Sequence, residues 1–228
     1  MRRTFLTTNS TSQGPDRFER QKGLVSTANL RSASVTVIGV GAIGRQVAIQ
    51  LASLGVGTIQ LIDFDEVEHH NVTSQGFRHS EIGQFKVAAT LSAIAEIAPE
   101  IQVESWCDRF RRRIQTNEAV FCCVDSIQTR SLIWDHLKSR VQFWADARML
   151  GEVMRILTVA DIASQLAYKE TLFAQSEAQT GSCTTRSTIY TANIAAGMLV
   201  HQFARWIRKL PTDNDLLLNL LCSELTVV

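Results

Sequence analysis

The stretch Ser34-Val35-Thr36-Val37-Ile38-Gly39-Val40-Gly41-Ala42-Ile43-Gly44 decides the fold. Its first five residues, SVTVI, are rich in β-branched side chains and read as a short strand. Three glycines within six residues then permit a tight turn and a close approach of backbone to a ligand. From Ile43 onward the apolar residues Ile43, Val47, Leu51 and Leu54 recur at helical spacing and share one face. Gly55 and Gly57 stop that helix. Thr58 to Ile62 (TIQLI) reads as a second strand and runs into Asp63-Phe64-Asp65. Strand, glycine turn, helix and strand make one βαβ unit, which predicts parallel strands joined by a right-handed crossover.

Downstream the alternation continues. Phe85 to Ile97 is rich in Ala and Ile and reads as a helix that stops before Pro99. Ile101 to Glu104 reads as a strand, and Ala119 to Val124 (AVFCCV) is an apolar run suited to a central parallel strand. Gln128 to Ser139 reads as helix, Val141 to Ala145 and Glu152 to Val159 as strands, and Thr188 to Leu210 as a long helix. The apolar segment from Leu216 to Val228 predicts two final strands. The fold class is therefore α/β: a Rossmann-like, mostly parallel sheet with helices on both faces, extended by additional C-terminal strands. Residues 1–14 are polar and read as a flexible tail, leaving 15–228 as a single domain.

Composition narrows the function. The 228 residues are 45% hydrophobic and 20% charged, with a formal net charge of +1, so no long-range field favours nucleic acid or an anionic membrane. No apolar run reaches membrane-spanning length. Five cysteines without paired spacing fit a reducing cytoplasm rather than a disulfide framework. Arg109 to Arg113 (RFRRR) is a short basic run that reads as a solvated face. Adjacent His69 and His70 would point to opposite sides if extended, which argues against a shared metal.

The glycine turn points to nucleotide binding, because the following helix start offers unpaired N–H groups and partial positive charge. Gly39, Gly41, Ala42, Ile43 and Gly44 are the candidate backbone contacts. Asp63 ends the second strand, where an acid can take ribose hydroxyls. The turn does not by itself separate NAD from ATP. Asp65, Asn71, Gln75, Lys86 and Asp125 do, because they suit a triphosphate and have no standard role in hydride transfer. Lys86 would neutralise phosphate charge and Asn71 donate to phosphate oxygens. Asp125 follows the apolar strand, at the end where α/β folds place ligands, and a carboxylate there could hold Mg²⁺.

Taken together, RFERQ (Arg17 to Gln21), GVGAIG, LIDFDEVEHHN (Leu61 to Asn71), IGQFK (Ile82 to Lys86) and CVDS (Cys123 to Ser126) resemble the ThiF/MoeB/HesA family, bacterial relatives of ubiquitin-activating enzymes. The resemblance covers about residues 16 to 210. It implies an adenylation domain that works as a homodimer with ATP and Mg²⁺. The expected reaction is transfer of AMP to the C-terminal glycine of a ubiquitin-like or sulfur-carrier β-grasp protein. A conjugating enzyme or sulfur donor would be a further partner. By resemblance, the Gly39–Gly44 loop wraps the phosphates, Asp63 takes the ribose, Asp65 and Asn71 line the triphosphate pocket, and Gln75 matches a family glutamine. Lys86 lies by the transferring phosphate, Asp125 acts at the metal or the carboxylate, and Arg20 reaches the partner subunit's nucleotide.

Two features depart from that pattern or leave it open. The family usually has an arginine where Ser74 stands, and Arg78 and Lys22 are candidate substitutes. Cys183 lies in GSCTTRS, just before the long helix, where the helix start and Arg186 would favour a thiolate. Thioester formation on Cys183 and a purely structural role both remain open. Two other functions compete: a catalytically degenerate dimeric partner, which Ser74 keeps in view, and a nicotinamide-dependent oxidoreductase.

Overall fold

The computed structural model describes residues 2–6, 16–173 and 188–227. Its strands are β1 (Arg2–Leu6), β2 (Ser34–Ile38), β3 (Thr58–Asp63), β4 (Gln102–Cys107), β5 (Ala119–Cys122), β6 (Phe143–Leu150), β7 (Val153–Val159), β8 (Asp215–Asn219) and β9 (Glu224–Val227). Its α-helices are α1 (Thr27–Ser32), α2 (Ala42–Leu54), α3 (His69–Gln75), α4 (Lys86–Ile97), α5 (Ile127–Leu137), α6 (Ile162–Glu170) and α7 (Ile189–Ile207).

The glycine-rich unit folds as its sequence predicts, with β2 and β3 parallel and α2 between them. The strands form one sheet in the order β1-β4-β3-β2-β5-β6-β7-β8-β9. From β4 to β6 every pairing is parallel. The remaining pairings, β1 on β4 and β6 through β9, are antiparallel. The two expected C-terminal strands are thus β8 and β9. The N-terminus corrects the reading of a loose tail over 1–14: Arg2–Leu6 lie along β4 as an edge strand, whose unpaired backbone groups β4 satisfies.

Strand alternation gives the sheet two buried faces. Val35, Val37, Phe121 and Phe143 meet Val47 and Leu51 of α2, Ile94 of α4 and Phe203 of α7. On the opposite face Ile38, Val120 and Trp144 meet Ile133 and Trp134 of α5 and Tyr168 of α6. Helices therefore cover both sides, as parallel strands require. Phe203 is fully buried in the core, edge-on to Phe121 at 5.7 Å and to Phe143 at 5.5 Å between ring centroids.

Two helices were not legible from periodicity. α3 is largely polar and is set by its start, where Glu68 and Asn71 form a capping box. His69 and His70 consequently begin a helix instead of lying extended, and His70 pairs with Glu68 at 3.2 Å. α6 starts on an Asp161–Ser164 box, and its apolar Ile162 and Leu166 are exposed, 78% and 66%, so no inward stripe marks it.

Candidate nucleotide site

The carboxyl ends of β2, β3 and β5 converge on the glycine turn. Gly39 sits at φ +86°, a conformation that L side chains rarely adopt, and a Cβ there would stand 2.7 Å from the Cys123 carbonyl oxygen. A Cβ on Gly44 would meet the Gly39 carbonyl oxygen at 1.8 Å. These two glycines let the turn fold onto itself and onto the end of β5. Gly41 is different: at φ −86°, its added Cβ would meet only the Gln75 Oε1 at 3.7 Å. Gly41 faces space that belongs to neither strand.

Gly41 is the N-cap of α2 and no side chain caps that helix start. The first intrahelical bond runs from the Arg45 N–H to the Gly41 carbonyl at 3.0 Å. The N–H groups of Ala42, Ile43 and Gly44 precede it and have no intrahelical acceptor, the arrangement that binds anions.

Asp63 braces this turn. Its carboxylate accepts from the Val40 N–H at 2.6 Å and from the Asp65 N–H at 2.8 Å. Burial raises its pKa above the ordinary carboxylate value, and those two backbone donors oppose the rise. One acid at the strand end therefore holds both the glycine turn and the turn that carries Asp65. Lys86, at the start of α4 and almost fully buried, donates to Asp65 at 3.0 Å. The Lys86 N–H also bonds the Asp65 carbonyl at 2.9 Å, which fixes α4 against the end of β3.

Gln75 ends α3 and brings its amide to Gly41. Its Oε1 is buried and has no hydrogen-bond partner in the structure. A buried acceptor left unmatched costs about 1–3 kcal/mol, so this amide, beside the uncapped helix start, is free to turn either its oxygen or its NH₂ toward an incoming group. Asn71 is buried, but its Oδ1 accepts from the Glu68 N–H at 2.9 Å, so one end of its amide serves the start of α3. Ser74 turns its hydroxyl back onto the His70 carbonyl at 2.7 Å.

Asp125 is exposed in the turn between β5 and α5. Its carboxylate has no hydrogen bond or ion pair among the described residues. Among the described residues no group of three or more His, Cys, Asp or Glu side chains could hold a metal. The donor set thus fits a Mg²⁺ ion held by one carboxylate and otherwise by phosphate oxygens and water, the way Mg²⁺ usually binds.

The remaining candidates lie elsewhere. Arg20 belongs to a short 3₁₀ turn, Glu19–Gln21. That segment docks at the far end of α2: Gln21 donates to the Leu54 carbonyl at 2.9 Å, and Phe18 lies against Gly55. α2 has 13 residues, roughly 20 Å of rise, so Arg20 is remote from its own chain's glycine turn. The substitutes for the missing arginine are engaged: Arg78 pairs with Glu96 at 2.6 Å and Lys22 with Asp16 at 3.2 Å. Both pairs are solvent-exposed, with the Arg78 and Lys22 side chains 56% and 52% exposed, so neither pairing withdraws its cation from a phosphate, any more than Asp65 withdraws Lys86. Cys183 and Arg186 lie outside the described residues. Cys122 is fully buried, and desolvation pushes the thiols of Cys122 and Cys123 up, away from the thiolate. Arg111 of the basic run pairs with Asp108 at 3.1 Å, and Arg109 lies over the Phe64 ring at 4.2 Å. A cavity of about 550 Å³, lined by Trp206, Glu118 and Lys209, opens at the opposite end of the sheet.

Strand, uncapped glycine turn, bracing acid and buried lysine define a nucleotide-binding α/β protein of the Rossmann type. The model of the ThiF family matches residues 17–222, and the chain belongs to that family. It is 35% identical over 125 residues to the adenylyltransferase and sulfurtransferase uba4 of Aspergillus clavatus, covering 50% of this chain and 25% of that protein. It is 25% identical over 225 residues to ubiquitin-like modifier-activating enzyme 5 of Dictyostelium discoideum, covering 87% of this chain and 59% of the relative. The chain thus spans between a quarter and three fifths of these relatives. Among solved structures, E. coli MccB with AMPCPP and MccA superposes with a TM-score of 0.76 at 16% identity, over 95% of this chain and 72% of that one. PaaA gives 0.70 at 20% identity, over 88% and 73%. At these identities the structural likeness is one of fold. Among the described residues no helix is long and apolar enough to cross a membrane.

Proposed function

We propose that this chain, as one adenylation unit over 15–228, uses ATP and Mg²⁺ to activate the C-terminal carboxylate of a ubiquitin-like or sulfur-carrier protein in the cytoplasm. The observation that carries the reading is the uncapped start of α2, flanked by the unpartnered Gln75 amide and the buried Lys86. A carboxylate oxygen of the carrier attacks the α-phosphorus. The bond from that phosphorus to the bridging oxygen breaks, and pyrophosphate leaves with the electron pair. The N–H groups of Ala42, Ile43 and Gly44 receive phosphate oxygens, and Gln75 closes that cradle by rotating its NH₂ toward them. Asp63 takes ribose hydroxyls on its remaining lone pairs. Lys86, released in part from Asp65, meets the charge that grows on the leaving group. Asn71 lends its amide NH₂ to the same pocket. Mg²⁺, when bound, neutralises phosphate charge, and Asp125 holds it.

In this reading the enzyme is a homodimer, and Arg20 of each subunit serves the other's nucleotide. Support comes from its exposure and from its position at the end of α2 remote from the turn. Cys183 would take the acyl group as a thioester after adenylation, or leave it to a sulfur donor or conjugating enzyme. A second reading, a degenerate partner in such a system, is favoured by one observation: Ser74, standing where the family usually has an arginine, turns its hydroxyl back onto its own helix.

The test is exchange of labelled pyrophosphate into ATP by purified protein with a β-grasp carrier ending in Gly-Gly. Carrier-dependent exchange is expected. ATP binding without exchange would establish the degenerate partner, and NAD binding without ATP binding would overturn both readings in favour of an oxidoreductase.

A further inference from the structure

Among the described residues no side chain or backbone group bonds the Asp125 carboxylate, so its place depends on the backbone of its turn. Three bonds fix that backbone. The Cys123 N–H reaches the Ile38 carbonyl at 2.8 Å. Ser126 caps α5 through the Thr129 N–H. Between them the carbonyl of Val124, one residue before Asp125 and past the end of the β5 ladder, is bound by a guanidinium N–H of Arg130. Arg130 stands in the second turn of α5 and is 5% exposed.

Arg130 is in turn fixed from β6. It forms an ion pair with Asp146, which is fully buried, and donates to the Ala147 carbonyl at 3.1 Å. The other oxygen of Asp146 accepts from the Tyr168 hydroxyl at 2.9 Å and from Arg148 at 3.1 Å. Arg148 goes on to bond Thr171 at the end of α6. One buried cation, Arg130, one partly buried cation, Arg148, and one fully buried carboxylate thus meet under the turn.

Such clusters are poor sources of stability. Desolvating the charges costs several kcal/mol, and a well-packed apolar replacement is often as stable or more so. What the cluster supplies is geometry. A planar fork that is ion-paired with Asp146 and donates to Ala147 and Val124 has one orientation, and that orientation sets the height of the Val124 carbonyl and of the carboxylate beyond it. We propose that Arg130, locked by Asp146, is the positioning residue that aims Asp125 at the phosphates of the bound nucleotide. The proposal rests on the reading of Asp125 as the residue that holds Mg²⁺ beside ATP.

The experiment is calorimetric titration of the purified protein with ATP, once in EDTA and once in saturating Mg²⁺. The gain in ATP affinity on adding Mg²⁺ is the readout. A purely structural defect lowers the bound stoichiometry and leaves that gain intact. In wild type a gain of at least about tenfold is expected. Asp125→Asn should remove it. Arg130→Lys keeps the buried charge but replaces the planar fork that spans Asp146, Ala147 and Val124 with a compact ammonium, and should also remove most of the gain while leaving affinity in EDTA within about twofold. If Arg130→Lys does not fold, the double variant Arg130→Met/Asp146→Leu, which buries no unmatched charge from that pair, takes its place and should lose the same gain. A gain retained in the Arg130 variant but lost in Asp125→Asn overturns the positioning role alone. A gain retained in Asp125→Asn, or absent from wild type, overturns the reading of Asp125. Failure of both Arg130 variants to fold assigns Arg130 to the fold and also overturns the proposal.

Discussion

Two alanine substitutions in the glycine turn should have opposite profiles. In Gly44→Ala the new methyl would lie 1.8 Å from the Gly39 carbonyl oxygen and 3.1 Å from the Cys123 Cβ. Ordinary carbon contacts begin near 3.5 Å, so the turn would have to retreat by about 1.5 Å. It is held against that movement. The Gly39 N–H is bonded to the Ile62 carbonyl at 2.9 Å and the Val40 N–H to Asp63 at 2.6 Å. Overpacking of this kind costs about 1–3 kcal/mol, or roughly 2–10 °C in Tm for a chain of this size. Gly41→Ala meets no atom closer than 3.7 Å, its φ lies on the side L residues adopt, and it removes a flexible residue from the unfolded chain. Its Tm should stay within about 2 °C of wild type. The methyl would nonetheless stand over the uncapped start of α2, where a phosphate must approach. ATP affinity in Gly41→Ala should fall by at least about tenfold, about 1.4 kcal/mol. Differential scanning fluorimetry with and without ATP, followed by calorimetry, separates the two effects. A Gly41→Ala protein that binds ATP as well as wild type would refute the reasoning, because Gly41 would then face empty solvent.

Three further outcomes are expected. Lys86→Met should leave stability within about 1 kcal/mol, since its partner Asp65 is 46% exposed and stays hydrated, while pyrophosphate exchange falls by on the order of 10²; undiminished exchange would remove Lys86 from the site. Mixing Arg20→Ala and Asp125→Ala subunits should restore exchange in the heterodimer, and full activity from a monomer would sink the composite site. Burial pushes Tyr168 up to about 12 from an ordinary value of 10.0, so the folded state binds its proton more tightly and the stability this provides is present below pH 10 and is lost between about pH 10 and 12. The chain has two tyrosines, and absorbance at the tyrosinate band should show Tyr168 protonated until near pH 12; a native-state midpoint at 10 would contradict its burial.

How much of this was legible in the sequence depends on how far apart the cooperating residues are. The glycine turn is a local event: a strand, a φ of +86° and a contact with the next helical turn can be met only by particular residues at particular spacing, so Gly39 and Gly44 announce themselves. Lys86 and Asp65 were legible individually, but their 3.0 Å pairing was not. The cluster under Asp125 was invisible for a stronger reason. Arg130, Asp146 and Tyr168 come from α5, β6 and α6, and no spacing within one element records that they meet. α6 itself gave no helical stripe because Ile162 and Leu166 face outward.

The two aspartates at neighbouring strand ends show where reading a sequence stops. Asp63 and Asp125 both follow apolar strands, and position alone offers each the same role. Their surroundings separate them. Asp63 is 9% exposed, receives two backbone N–H groups and fixes the shape of the turn whether or not a ligand is present. Asp125 is exposed and, among the described residues, receives none, which leaves its charge open to the cation of the proposed reading. A carboxylate that must stay put is buried and saturated. On the proposed reading Asp125 must exchange water for a metal, so it is left open and held through its backbone, and the burden of precision passes to Arg130.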